Sequence, residues 1–212
     1  MNSAIVLAGG RSTRFGRDKG LWAIGDQTLV ERVHGRIRNV AQEVVIAVGS
    51  EKQRQTYSQI ISNCVFAVDE SPGMGPLGGL WSGLRRVTGK KVAVVGCDMP
   101  FISAELMSLL YDLSEEYDAV IPRWPIGYIE PLHSVYDVGG CLTATRKALR
   151  SGRHEIRAMI SGLTTVLYVS TEVIRKSEPD LRMFTNINSR RDLLHARRIM
   201  NASSGKKSAV TR

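Results

Sequence analysis

The chain has 212 residues, of which 43% are hydrophobic and 23% are charged, and its formal net charge is +9. This length and balance predict one globular domain with a substantial core. No apolar run approaches the ~20 residues of a membrane helix, and the N-terminal residues predict a strand instead of a signal peptide. Cys64, Cys97 and Cys141 lack metal-ligand spacing, which favours free thiols in the cytoplasm.

Apolar, strand-like runs alternate along the chain with amphipathic, helix-like stretches. The predicted strands cover residues 4–7, 44–48, 65–68, 92–95, 119–121, about 132–136 and 165–169. The first predicted helix follows Thr28, which has capping-box spacing to Glu31, and the others cover residues 52–61, 77–87, 104–113, 141–149 and 190–200. This alternation predicts an α/β fold with a mostly parallel sheet and helices on both faces. We expect a single domain over residues 1–200 and a disordered basic tail over residues 201–212.

The first predicted strand, residues 4–7, is followed by a glycine pair and a run of cations. Gly9 and Gly10 let the backbone turn sharply and approach a ligand closely. The cations are Arg11, Arg14, Arg17 and Lys19. Backbone N–H groups and cations at the end of a strand suit a polyphosphate, so we interpret this loop as a nucleotide site; the alternative is a solvated basic turn. It lacks the Gly-Lys-Ser/Thr ending of a Walker loop.

A glycine-rich segment follows the third predicted strand. Gly73, Gly75 and Gly78 form a formal G-x-G-x-x-G pattern, but four residues separate it from the strand and Pro76 interrupts it. A dinucleotide site would need the pattern directly after the strand, so that interpretation is disfavoured. From the residues alone, Asp69 before this segment fits the cap of a turn or helix.

Asp98 comes directly after the predicted strand 92–95 and Gly96-Cys97. Ligands of open α/β sheets lie at this end of the strands. A carboxylate there can hold Mg²⁺, which prefers oxygen ligands and bridges to substrate phosphates. The alternative is an Asp that caps a turn. The basic loop elsewhere in the chain favours the metal role.

Two distal segments carry polar groups that suit a second substrate. His133 lies in a predicted strand, where it serves as a substrate contact or as a structural residue. Asn186 and Asn188 precede the last predicted helix; carboxamides both donate and accept, which suits a heterocycle. Their alternative role is turn and N-cap chemistry, in which Asn188 or Ser189 caps that helix.

The segment from Leu7 to Lys19 resembles the signature of the nucleotidyltransferases and is most similar to the molybdenum cofactor guanylyltransferase family. That pattern reads Leu-Ala-Gly-Gly, then Arg, Met and Gly, and finally Asp-Lys; here Phe15 replaces the Met. The resemblance continues in Asp69 with Gly75-Pro76-Leu77-Gly78-Gly79, in Cys97-Asp98-Met99-Pro100, in Glu130–Tyr136 and in Phe184–Ser189. The chain departs from the family at Gly49-Ser50, where an Asn often contacts the base.

The resemblance implies a three-layer, Rossmann-like nucleotidyltransferase fold. It also implies an enzyme that transfers GMP from GTP to the phosphate of molybdopterin cofactor. Arg14 and Lys19 would hold the triphosphate, and Asp98 would hold Mg²⁺; these are the implied catalytic residues. The implied nucleotide-binding residues are Leu7, Ala8, Gly9, Gly10, Lys19, Asp69, Gly78 and Asp98. The implied acceptor-binding residues are His133, Asn186 and Asn188. The implied partners are GTP, molybdopterin cofactor and other proteins of its biosynthesis, with no membrane.

Alternatives of the same class are a cytidylyltransferase for this cofactor and a guanylyltransferase for another phosphorylated cofactor precursor. A non-enzymatic alternative is a nucleotide- or nucleic-acid-binding adaptor that uses the basic C-terminal residues. Those residues lack aromatic interleaving and any helix-turn-helix or zinc-finger spacing, so a solvated helix face is favoured and nucleic acid is disfavoured as a partner.

Overall fold

The computed structural model describes residues 1–9, 18–70 and 73–208, with side chains described as far as Ala202. The strands are β1 (Asn2–Leu7), β2 (Ala23–Ile24), β3 (Gln27–Thr28), β4 (Glu43–Val48), β5 (Val65–Val68), β6 (Lys91–Gly96), β7 (Ala119–Arg123), β8 (His133–Asp137) and β9 (Val166–Ser170). The α-helices are α1 (Leu29–Ile37), α2 (Glu51–Ser58), α3 (Gly75–Leu84), α4 (Ala104–Leu113), α5 (Val138–Arg150), α6 (Ile156–Ile160), α7 (Thr171–Ile174) and α8 (Arg190–Ser208). None of the helices in these ranges is long and apolar enough to cross a membrane.

Seven strands form one sheet in the order β5-β4-β1-β6-β8-β7-β9. All seven were predicted from the apolar runs, and the sheet is mostly parallel as expected. β8 is the exception, because it pairs antiparallel with both β6 and β7. The carboxyl ends of β1, β4, β5 and β6 therefore share one edge of the sheet with the start of β8.

Helices cover both faces of the sheet, which confirms the predicted three layers. Successive strand residues point to opposite faces: Val6 and Val95 pack beneath α1, α2, α4 and α7, whereas Ile5 and Val94 pack beneath α3, α5 and α6. Apolar side chains cover both faces of the sheet, which explains why the central strands are continuous apolar runs in the sequence. At Gly83 of α3, a Cβ would lie 2.9 Å from Ile5 Cγ2, so glycine allows this helix its close approach to β1.

The first helix begins as the sequence predicted. Thr28 Oγ1 accepts a hydrogen bond from Glu31 N at 3.4 Å, and Thr28 N donates to Glu31 Oε2 at 2.8 Å, which completes a capping box. The short β2–β3 hairpin, α6 and α7 were not predicted, because each is too short to show a periodic pattern.

The last helix differs from its predicted end. α8 continues to Ser208, whereas the sequence pattern predicted a helix to Met200 and a disordered tail from residue 201. No proline follows Met200, and Ala202, Lys206 and Lys207 favour a helix, whereas Ser203, Ser204 and Gly205 do not. The helix is held near its start by a small apolar cluster formed by Ile24, Leu29, Ile187 and Ala196.

Candidate functional site

Lys19 lies at the centre of the site, on a short 3₁₀ turn (Lys19–Leu21) just after the predicted phosphate loop. Its Nζ donates to Asp98 Oδ2 at 2.7 Å and to Asn188 Oδ1 at 3.0 Å. Asp98 and Asn188 lie 79 and 169 residues away from Lys19 along the chain. The fold therefore brings the predicted phosphate, metal and acceptor segments together at one point.

Asp98 sits on the turn that follows β6, at the carboxyl edge of the sheet. Cys97 N donates to Leu7 O at 3.0 Å, and Ile187 N donates to Asp98 O at 2.8 Å. This turn is thus tied both to the end of β1 and to the asparagine loop. The carboxylate faces Lys19, and the following helix α4 is capped by Ser103 instead. Asp98 therefore does not cap α4, and its metal role stays a prediction.

The backbone just after β1 forms the wall of an open pocket beside Lys19. Ala8 N and Gly9 N both donate to Ala47 O, at 2.8 and 3.0 Å. A Cβ on Gly9 would lie 3.1 Å from Gly49 N, so the close approach of the two backbones favours glycine here. The described lining consists of Leu7, Ala8, Gly9, Asp18, Lys19, Gly20, Pro76, Gly96, Cys97, Asp98 and Leu132. The predicted site residues Gly10 and Arg14 lie outside the described residues.

Asp69 and Gly78 lie next to each other at the start of α3. The carboxylate oxygens of Asp69 are 3.3 and 3.4 Å from the position that a Cβ on Gly78 would occupy. Asp69 N also donates to Val48 O at 2.8 Å, which ties this segment to the end of β4. Pro76, in the same turn of α3, lines the pocket, whereas Asp69 and Gly78 are set back from it.

His133 lies in the core and not on the pocket wall. Its side chain is fully buried, and its ring packs edge-on against Phe184 with centroids 5.1 Å apart. Neither ring nitrogen has a hydrogen-bond partner within the described part of the chain. Burial lowers the pKa of His133 to about 3, so the ring is neutral. Full burial of the ring favours the structural alternative for His133, and its contact with an acceptor stays a prediction.

The two asparagines have different surroundings. Asn188 is exposed and reaches Lys19, whereas Asn186 lines a neighbouring cavity with Asp192 and His195. Ser189, not Asn188, caps α8: its Oγ accepts from Asp192 N at 3.2 Å, and its N–H donates to Asp192 Oδ2 at 2.8 Å. This capping box leaves the Asn188 carboxamide available to the site.

A polar cluster that the sequence analysis missed supports the site from α2. Gln53 Nε2 donates to Ala8 O at 3.0 Å and to Asp18 Oδ2 at 2.8 Å, and Gln53 Oε1 accepts from Gly49 N at 2.8 Å. The Tyr57 hydroxyl donates to Asp18 Oδ1 at 2.9 Å. Gln53 and Tyr57 are spaced i, i+4 on a helix that leaves the site edge of β4, and that spacing was the available signal.

The cysteine beside Asp98 is not a nucleophile. Cys97 is buried, and burial together with the neighbouring Asp98 carboxylate raises the pKa of its thiol far above neutrality. The thiol is therefore protonated. What the site offers is charge: a lysine ammonium and a carboxylate side by side, each with about a fifth of its side chain exposed (22% and 21%).

The parallel sheet, the glycine-bearing strand end and the facing cation and carboxylate define an α/β nucleotidyltransferase. A model of the MobA-like NTP transferase domain matches residues 4–166, so the chain belongs to that family. A probable molybdenum cofactor guanylyltransferase of Methanosarcina mazei is 34% identical over 90% of this chain and 88% of its own length. Another, from Pelotomaculum thermopropionicum, is 34% identical over 92% and 91%.

Among solved structures, the chain is similar to molybdopterin-guanine dinucleotide biosynthesis protein A from Archaeoglobus fulgidus. The TM-score is 0.81 at 29% identity, and the match covers 94% of this chain and 99% of that one. The match confirms the α/β nucleotidyltransferase fold and the resemblance noted in the sequence.

Proposed function

We propose that this chain transfers GMP from GTP to the terminal phosphate of molybdopterin cofactor and releases pyrophosphate. The observation that carries the proposal is the meeting of Lys19, Asp98 and Asn188 at the mouth of the pocket. The curated relatives named as molybdenum cofactor guanylyltransferases support the choice of donor and acceptor. The free thiols Cys64, Cys97 and Cys141 fit a cytoplasmic enzyme.

In this proposal Lys19 binds the triphosphate and stabilises the charge that develops on the departing pyrophosphate. Arg14 and Gly10 act with it in the phosphate loop. The backbone of Leu7, Ala8 and Gly9 lines the base and ribose. Asp69 and Gly78 act on the nucleotide from the start of α3.

Asp98 is the residue that would hold Mg²⁺. Among the described residues, no three His, Cys, Asp or Glu side chains converge on one point. A single carboxylate such as that of Asp98 fits Mg²⁺, which binds through one or two carboxylates and takes its other ligands from water and substrate phosphates. The ion, when bound, neutralises phosphate charge. A site with three or four protein ligands would instead suggest a resident structural metal.

The acceptor lies, in this proposal, on the side of Asn188 and Asn186. Their carboxamides donate and accept hydrogen bonds, as a pterin requires. The acceptor phosphate is itself the nucleophile, so the reaction needs no nucleophilic side chain from the protein. The neutral Cys97 thiol is consistent with this. The contribution of the protein is positioning and electrostatic stabilisation.

The test is pyrophosphate release from GTP, CTP or ATP, each with Mg²⁺, in the presence and absence of molybdopterin. We expect release that depends on molybdopterin, with GTP used at least tenfold better than CTP or ATP. Equal use of CTP would mean that the guanine assignment is wrong, while the protein would still be a nucleotidyltransferase. Release only with another phosphorylated precursor would change the acceptor. If no nucleotide and acceptor pair releases pyrophosphate, the enzyme proposal is wrong and the adaptor remains.

A further inference from the structure

One side chain holds both ends of the phosphate loop. Residues 10–17 lie outside the described part of the chain, but the residues that flank them, Ala8 and Asp18, are both hydrogen-bonded to the amide nitrogen of Gln53, at 3.0 and 2.8 Å. A glutamine amide has two N–H donors, and the two shortest contacts of this nitrogen use them; a third, longer contact reaches the Tyr57 hydroxyl at 3.2 Å. Its carbonyl oxygen accepts from Gly49 N, so the rotation of the amide group is fixed as well.

Tyr57 completes this connection from the next turn of α2. Its side chain is fully buried, and its hydroxyl donates to the second carboxylate oxygen of Asp18. Burial raises the pKa of this phenol far above neutrality, so it remains a donor. A Cβ on Gly20 would overlap the Tyr57 hydroxyl, so the Lys19–Leu21 turn rests directly on Tyr57.

Asp18 passes this constraint to Lys19. With Gln53 and Tyr57 holding its carboxylate, Asp18 caps the 3₁₀ turn by accepting from Gly20 N at 2.9 Å. Lys19 is the first residue of that turn, and its Nζ reaches Asp98. The direction of the lysine side chain therefore follows from a chain of contacts that starts in the buried part of α2.

We propose that Gln53 and Tyr57 are positioning residues that hold Lys19 at Asp98 for nucleotidyl transfer. The inference rests on the proposed function, in which Lys19 binds the triphosphate. Without Gln53, the carbonyl of Ala8 and the carboxylate of Asp18 lose their shared donor, and only Tyr57 of this pair still holds Asp18. A displacement of about 1 Å of a catalytic group can cost roughly 100-fold in rate.

The experiment compares Gln53→Met, Lys19→Ala and the double variant by kcat/KM for GTP in the molybdopterin-dependent assay. We expect Gln53→Met to lose roughly 10- to 100-fold and Lys19→Ala roughly 100- to 1000-fold. Because Gln53 acts through Lys19, the double variant should match Lys19→Ala within about threefold. The matched control is Gln55→Met, the same change at an exposed position of the same helix, which should retain wild-type kcat/KM.

A purely structural role for Gln53 would instead multiply the two losses in the double variant, and that result would overturn the inference. Wild-type kcat/KM in Gln53→Met would overturn it too. If Lys19→Ala itself turns over normally, the assigned role of Lys19 fails first and the positioning role falls with it. If Gln53→Met does not fold by circular dichroism, Tyr57→Phe removes a single oxygen and takes its place, with an expected loss of about tenfold and the same non-additivity with Lys19→Ala.

Discussion

The ion pair between Lys19 and Asp98 contributes little to the stability of the fold. Both side chains are about one-fifth exposed, and ion pairs at such positions are typically worth about 0–1 kcal/mol. Each charge is instead available to a ligand of the opposite sign. In the proposed reaction, Lys19 would bind phosphate and Asp98 would hold Mg²⁺.

Asp98→Asn tests this assignment. The substitution keeps the size and one acceptor oxygen but removes the charge that would hold a divalent cation. We expect turnover to fall about 100-fold and the half-saturating Mg²⁺ concentration to rise, with a smaller change in GTP affinity. A Mg²⁺ titration of activity measures both effects. Asp112→Asn, on the exposed side of α4, is the control and should behave as wild type. An unchanged Mg²⁺ requirement in Asp98→Asn would exclude the metal role.

His133 predicts how stability depends on pH. Its pKa lies at about 3 in the folded protein, against an ordinary value of 6.5, because burial disfavours the charged ring. Between these values the unfolded chain binds the proton and the folded protein does not, so stability falls as the pH falls. His133→Phe should flatten the slope of unfolding free energy against pH by up to about 1.4 kcal/mol per unit between pH 6 and pH 4. Urea unfolding at several pH values measures this slope.

The control for that measurement is His195→Phe, which replaces an exposed imidazole on α8. It should leave the slope as in the wild type. If His133→Phe shows the wild-type slope, the His133 ring takes up protons equally in both states, and its burial is not what the structure describes.

Among the secondary-structure elements, α1 and α8 both begin with a capping box. Thr28 and Glu31 form the capping box of α1, and Ser189 and Asp192 form that of α8. The backbone hydrogen bonds at Asn188 and Ser189 also lower the pKa of Asp192. Only the second box stands beside the site, because Asn188 precedes Ser189 and contacts Lys19.

Thr28→Ala and Ser189→Ala form a matched pair. Loss of either cap should lower the free energy of unfolding by about 1 kcal/mol. Only Ser189→Ala should also lower kcat/KM for the acceptor, by about tenfold, because it loosens the loop that carries Asn188. Chemical denaturation and the pyrophosphate assay give the two quantities. Equal activity losses in both variants would mean that stability alone controls turnover.

The elements that local patterns specify were predicted well, and the arrangement that depends on distant contacts was not. The seven sheet strands and the Thr28 cap follow from apolar runs and capping-box spacing, and both can be read from a few neighbouring residues. The reversal of β8 and the connection from Gln53 to Asp18 depend on pairing between segments far apart in sequence. No periodicity encodes such pairing. The extension of α8 was missed because a polar, glycine-containing segment gives no apolar stripe.

At the scale of the whole molecule, the net charge of +9 raises the question of what the basic C-terminal residues do. Lys206, Lys207 and Arg212 lie within residues 201–212, downstream of the apolar cluster that holds α8. The described contacts of the site come from residues 7–192, and the side chains of residues 203–212 lie outside the described part of the chain. A polyanion would instead bind them through counterion release, with a strong dependence on salt.

Deletion of residues 201–212 tests whether these residues serve nucleotidyl transfer or the binding of nucleic acid. We expect kcat/KM for GTP to stay within about twofold of the full chain at 0.15 M salt, where exposed charges beyond about 8 Å are screened. The pyrophosphate assay and a salt titration of RNA and DNA binding measure the outcome. The opposite result would be strong nucleic-acid binding by the full chain, abolished by the deletion, with no pyrophosphate release from either protein. The adaptor alternative would then be correct.

Because β8 runs opposite to its neighbours, the site is formed by the ends of some strands and the start of another. The strands that end at the site edge are β1, β4, β5 and β6. β8 begins at the same edge, directly after the hairpin connection of residues 124–132. Lys19 and Asp98 are anchored to the parallel strands and to α2, independently of that connection. Residues 124–131 of the connection can therefore vary in length without removing these contacts, whereas Leu132 at its end lines the pocket. A scaffold built this way can acquire new acceptors while its nucleotide chemistry is inherited intact.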